Sequence, residues 1–78
     1  MVEVFKTNVT GIRHARVLAD AIRYHFEDYK VNFDLGDCDH ILRIESTQTI
    51  AIDALIIFLN NLGVEVELLA DEMPLIII

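Results

Sequence analysis

Three side chains able to act as metal ligands, or as a nucleophile with its base, stand at His14, Cys38 and His40, and two carboxylates, Asp37 and Asp39, bracket the cysteine. One thiolate, two imidazoles and a carboxylate suit Zn(II) or Cu(II) in kind. The spacing says less than the residue types: no C-x-x-C or H-x3-H pair fixes two ligands locally, and Cys38 and His40 are two residues apart in a short polar turn. The plainer reading, which we prefer, makes His14 a solvated first-turn residue, Cys38 a small turn residue and His40 a strand-edge residue. Nucleophilic catalysis is weaker still, because an activated thiolate needs a positive, partly enclosed setting, and Cys38 has a carboxylate on either side. Gly11 stands alone, with no Gly-rich phosphate loop around it, and His25, between Tyr24 and Phe26, reads as a packing residue rather than a base. The expectation is a non-enzyme without a cofactor. Its alternative is a metal-handling protein that holds Zn or Cu through His14, Cys38 and His40.

The elements that would have to position those residues follow from hydropathy patterning. Residues 2–6 (VEVFK) are rich in β-branched side chains and predict a strand. From Ile12 the period changes: Ile12, Ala15, Leu18 or Ala19, Ile22 and Phe26 recur at helical spacing, with Arg13, Arg16, Asp20 and Arg23 on the other side. Val31, Phe33 and Leu35 alternate with Asn32 and Asp34 as a second strand. Leu42 and Ile44, placed inward, alternate with outward Ile41, Arg43 and Glu45 as a third, and GDCD turns between the two. Ser46 or Thr47 is expected to cap a second helix ending at NNLG, where Gly63 suits a left-handed cap. Its expected buried stripe is Ala51, Leu55, Phe58 and Leu62, which leaves Ile50, Ile56 and Ile57 as surplus apolar surface. VEVELL gives a fourth strand, and ADEMPLIII closes the sequence with Leu75, Ile76, Ile77 and Ile78.

The order strand, helix, strand, strand, helix, strand predicts an α+β domain of the ferredoxin-like βαββαβ type. Two right-handed crossovers place both helices on one face of a four-stranded antiparallel sheet. Residues 1–69 make that domain and residues 70–78 an apolar C-terminal extension of it. Following the chain direction, the junction at residues 7–14, the hairpin tip at 36–40 and the turn at 60–63 share one end of the molecule.

The element order, the chain length, VEVFKTNV leading into helix one, VNFDLGDCDHILRI for the hairpin and NNLGVEVELL for the exit together resemble a heavy-metal-associated domain. That family holds a soft metal such as Cu(I) through a Met-x-Cys-x-x-Cys motif at the first strand-to-helix junction. Matching helix one by its core positions lays the motif on VTGIRH, so the methionine position falls on Val9 and the two cysteine positions on Gly11 and His14. Both thiolates are missing. The resemblance therefore implies the scaffold with a degenerate soft-metal site, and function lives in the site rather than in the scaffold.

Composition narrows the partners. The 78 residues carry a net charge of −7 with only six basic side chains, which opposes binding to a phosphate backbone. RNA recognition on the open sheet face is further disfavoured, because Phe5 is the one aromatic expected to face outward there. No basic-then-apolar leader opens the sequence, and its longest apolar runs fall far short of the roughly 20 residues that span a bilayer. One cysteine makes no intrachain disulfide, and a reducing, cytoplasmic setting is expected. An apolar fraction of 54% exceeds the about 45–50% usual for soluble domains. The expected role is a small non-catalytic binding or interaction module, a homodimer through self-association, with another protein as the further candidate partner and without nucleic acid or membrane. The expected interaction residues are Ile50, Ile56, Ile57, Leu75, Ile76, Ile77 and Ile78. The tail either folds back over Phe5 and Ile41 or docks on a second copy.

Overall fold

Residues 1–69 are described by a computed structural model, in which alternating and helical patterns become β1 (Val2–Thr7), α1 (Ile12–His25), β2 (Lys30–Asp34), β3 (Ile41–Glu45), α2 (Ile52–Asn61) and β4 (Val66–Leu68). The strands form one antiparallel sheet in the order β2-β3-β1-β4. This is the ferredoxin-like arrangement, with β1 and β3 central and β2 and β4 at the edges. In the register, Phe5 stands opposite Leu42 and Leu68, and Val31 opposite Ile44. Phe5, Val31, Leu42 and Ile44 therefore share one sheet face, and that face joins Ala15, Leu18, Ala19 and Ile22 of α1 and Leu55 and Leu59 of α2 in a single core. Both helices lie on that face.

Several residues differ from their expected places. Phe5 points inward and is fully buried, opposite Leu42 and Leu68 in the register, while Val2, Val4 and Lys6 take the open face. By register that face also carries Ile41, Arg43 and Glu45 of β3 and Lys30, Asn32 and Asp34 of β2, so no aromatic ring stands among them. Ile41 is outward as expected, between Lys6 and Asp34, yet only 8% exposed, and it adds little apolar surface.

The second helix starts later than its polar residues suggested. Ser46 Oγ accepts the N–H of Gln48 at 3.0 Å and closes a local turn rather than capping a helix. Ala51 precedes the first helical residue, and its N–H is held by the Tyr29 hydroxyl at 2.7 Å. The buried stripe is Leu55 and Leu59, with Ile52, Ile56 and Phe58 packed beside them, and Leu62, past the last helical residue Asn61, is exposed. Ile50 lies before the helix and is only 4% exposed, so it belongs to the core and not to a surplus surface.

The exit from α2 matches its sequence signal. Gly63 has φ +82°, its N–H bonds the Asn60 carbonyl, and the N–H of Val64 reaches back to Leu59 O, both at 3.0 Å. This double bond pattern is a Schellman motif, and the buried pair Val64 and Leu59 supplies the apolar contact that accompanies it.

Candidate functional site

The end of β1, the β2–β3 turn and the start of β4 meet at one pole, as the strand directions require. Thr7 N–H donates to Asp39 O at 3.2 Å and the Thr7 hydroxyl to His40 O at 2.7 Å. Asn8 clamps the third segment: its N–H donates to Glu65 O at 3.3 Å, and its side-chain oxygen accepts from Glu65 N–H at 3.0 Å. The β2–β3 turn is held by its own aspartates. Asp34 Oδ1 accepts from Gly36 N–H at 3.1 Å, and Asp37 Oδ1 from Asp39 N–H at 2.9 Å. These are short-range side-chain to backbone bonds of the kind that favour Asp in turns.

The candidate ligands occupy this pole unevenly. Asp37, Cys38 and Asp39 present ligand atoms within 4.8 Å of one another. Cys38 is exposed, and Asp39 also lies 3.9 Å from Lys6 Nζ. His14 is exposed on the first turn of α1, and neither it nor His40 joins the Asp37–Cys38–Asp39 group. His40 is unusual in itself. Its φ is +47°, in the left-handed region, and its buried Nδ1 has no hydrogen-bond partner among the described residues. Of the three positions that the metal-binding motif would occupy, Val9 is fully buried and Gly11 and His14 are exposed.

A second feature lies along α1, where sequence reasoning placed nothing. Ala15 and Ala19, small residues one turn apart, face β2 and leave an open groove of about 310 Å³ between the helix and that edge strand. Ile12, Val31, Phe33 and Leu35 complete its apolar wall. Arg16 and Arg23 stand on its rim. Arg23 is engaged by Asp20 Oδ1 at 3.0 Å and by the Val31 carbonyl at 3.1 Å, whereas Arg16 has no ion pair among the described residues. The signal was present as two alanines and two arginines at helical spacing beside a strand that ends the sheet. Ile12, which opens the apolar stripe of helix one, is 66% exposed at the groove's mouth.

The other expected interaction residues divide. Ile56 is partly buried against the core and Ile57 is 59% exposed. Leu75, Ile76, Ile77 and Ile78 lie outside the described residues. His25 stacks on Phe58 with ring centroids 4.7 Å apart and meets Phe26 edge-on at 4.8 Å, which fits the packing role read for it. Among the described residues, no helix is long and apolar enough to cross a membrane. Compared with family models, with curated proteins and with solved structures, the chain matches none.

Proposed function

We propose that this chain is a non-catalytic interaction module that works by self-association, on a scaffold resembling heavy-metal-associated domains from which the soft-metal thiolate pair is absent. The observation that carries this reading is the apolar groove beside β2, whose outer edge has no strand partner among the described residues, with Ile12 exposed at the groove's mouth. An edge strand with apolar side chains beside it is a template for adding another chain. One cysteine and the absence of a disulfide suit a reducing, cytoplasmic setting. Light scattering and sedimentation across a dilution series test the reading: a concentration-dependent dimer is expected, and a monomer at every concentration would refute it.

A second reading, metal handling through His14, Cys38 and His40, draws support from the Asp37–Cys38–Asp39 cluster and from the buried Nδ1 of His40, which has no partner among the described residues. Zn(II) and Cu(I) titrations against a competing chelator decide it. Stoichiometric binding that is lost in Cys38→Ser and His40→Ala would favour this reading over the first.

A further inference from the structure

We infer that the groove between α1 and the outer edge of β2 receives residues 71–78 of a second copy of this chain, added as a strand along β2; this rests on the self-association reading and gives it a surface and an occupant. Three observations converge on that occupant. The first is complementarity of character. The segment DEMPLIII has two carboxylates followed by four apolar residues and no basic side chain. The groove offers an apolar wall with Arg16 and Arg23 on its rim, and these are two of only six basic residues in a chain of net charge −7. A basic rim on so acidic a protein marks the place where an acidic segment approaches without repulsion.

The second is backbone chemistry. β2 ends the sheet and pairs only with β3, so its outer edge lacks a strand partner among the described residues. A run of Leu75, Ile76, Ile77 and Ile78 has the β-branched, charge-free composition that adds to such an edge. Arg23, whose guanidinium bonds the Val31 carbonyl at 3.1 Å, guards one acceptor of β2, which disfavours indiscriminate pairing and leaves the apolar groove to select the partner.

The third is reach, which favours a neighbour over the same chain. Leu69 is the last described residue, and its N–H bonds Val4 O at 2.9 Å, which fixes it at the β4 edge. β2 lies three strands away, about 14 Å at the usual strand spacing, and a strand added outside it about 19 Å away. Residue 75 is six residues beyond Leu69, which span at most about 21 Å when fully extended. That leaves almost nothing for passing around a sheet that carries helices on one face. A tail delivered from a second copy has no such limit, and a two-fold exchange would fill both grooves at once.

The test uses the full chain in sedimentation velocity, with circular dichroism to verify folding of each variant. The groove variant is Ile12→Glu with Arg16→Glu, both at exposed positions, and the tail variant is Ile76→Asp with Ile78→Asp. Each should lose the dimer, and an equimolar mixture of the two should recover a heterodimer, because one intact groove then meets one intact tail. In a separate pair, Arg16→Glu alone should weaken the dimer and Asp71→Arg with Glu72→Arg should restore it. A wild-type dimer that survives both the groove and the tail variants would overturn this inference while leaving self-association standing. A wild type that is monomeric throughout would refute the self-association reading itself. A monomer whose groove resonances shift in the tail variant would place the tail on its own chain and overturn the second-copy assignment.

Discussion

The buried side chain of Thr7 donates its hydroxyl proton to the His40 carbonyl at 2.7 Å while accepting the N–H of Val9 at 3.2 Å, so it ties the β1–α1 junction to the end of the β2–β3 turn. Both backbone groups depend on that one oxygen. Thr7→Val keeps the shape and removes both bonds, and an unsatisfied buried polar group costs about 1–3 kcal/mol. Urea denaturation should show a loss of that size for Thr7→Val and a much smaller one for Thr7→Ser. A larger loss in Thr7→Ser than in Thr7→Val would mean that the methyl group, rather than the hydroxyl, holds the pole together.

His40, whose carbonyl takes part in this tie, is in a left-handed conformation, φ +47°, and its buried Nδ1 has no hydrogen-bond partner among the described residues. A non-glycine residue held there carries about 1–3 kcal/mol of backbone strain. His40→Gly should therefore raise stability by about 1 kcal/mol after its lost packing is counted, with no change in secondary structure. The same variant measured with added Zn(II) separates the two functional readings. If His40 is a ligand, the metal stabilises the wild type and not His40→Gly.

The element order was legible because each segment's apolar period agreed with its turn and cap residues. What misled the reading was local. In β1, Val2, Val4, Phe5 and Thr7 satisfy either facing, and only the pairing with Leu42 and Leu68 decides that the ring goes inward. At Ser46 and Thr47, good capping residues precede an apolar run, yet Ser46 spends its oxygen on Gln48 and the helix waits until Ile52. Leu59 and Leu62 are chemically alike, but the helix ends at Asn61, which buries Leu59 and leaves Leu62 exposed. The pole was foreseen from chain direction alone, but not the strain at His40, since a left-handed histidine leaves no mark in composition. The groove went unread because it arises from what Ala15 and Ala19 do not fill.

Gly63 tests the backbone reading of the α2 exit. A Cβ built there meets no atom within 4 Å, so crowding contributes nothing to the effect of Gly63→Ala. The left-handed φ of +82° alone does, and for an L-residue it costs about 1–2 kcal/mol. Thermal or urea unfolding of Gly63→Ala should show a loss in that range. Gly11→Ala is the control: φ is −101° and ψ 139° there and the space is equally open, so a change well under that of Gly63→Ala is expected.

The resemblance to heavy-metal-associated domains can be tested by putting back what is missing. Gly11 is the N-cap of α1 in extended geometry, with no atom within 4 Å of an added Cβ. His14 is exposed three residues later on the helix's first turn. Neither position resists a side chain of cysteine size. Thiolates there would lie at the positive end of the helix dipole, which favours their ionised, metal-binding form. Gly11→Cys with His14→Cys should therefore bind one equivalent of Cu(I) in competition with a chelator. Each single variant should bind far more weakly, since two soft ligands are needed to hold the ion. The Cys38→Ser background keeps the native thiol from contributing. If the double variant folds and still binds no more Cu(I) than either single variant, then the junction lacks the geometry of a two-thiolate site, and the likeness reduces to the order of the elements.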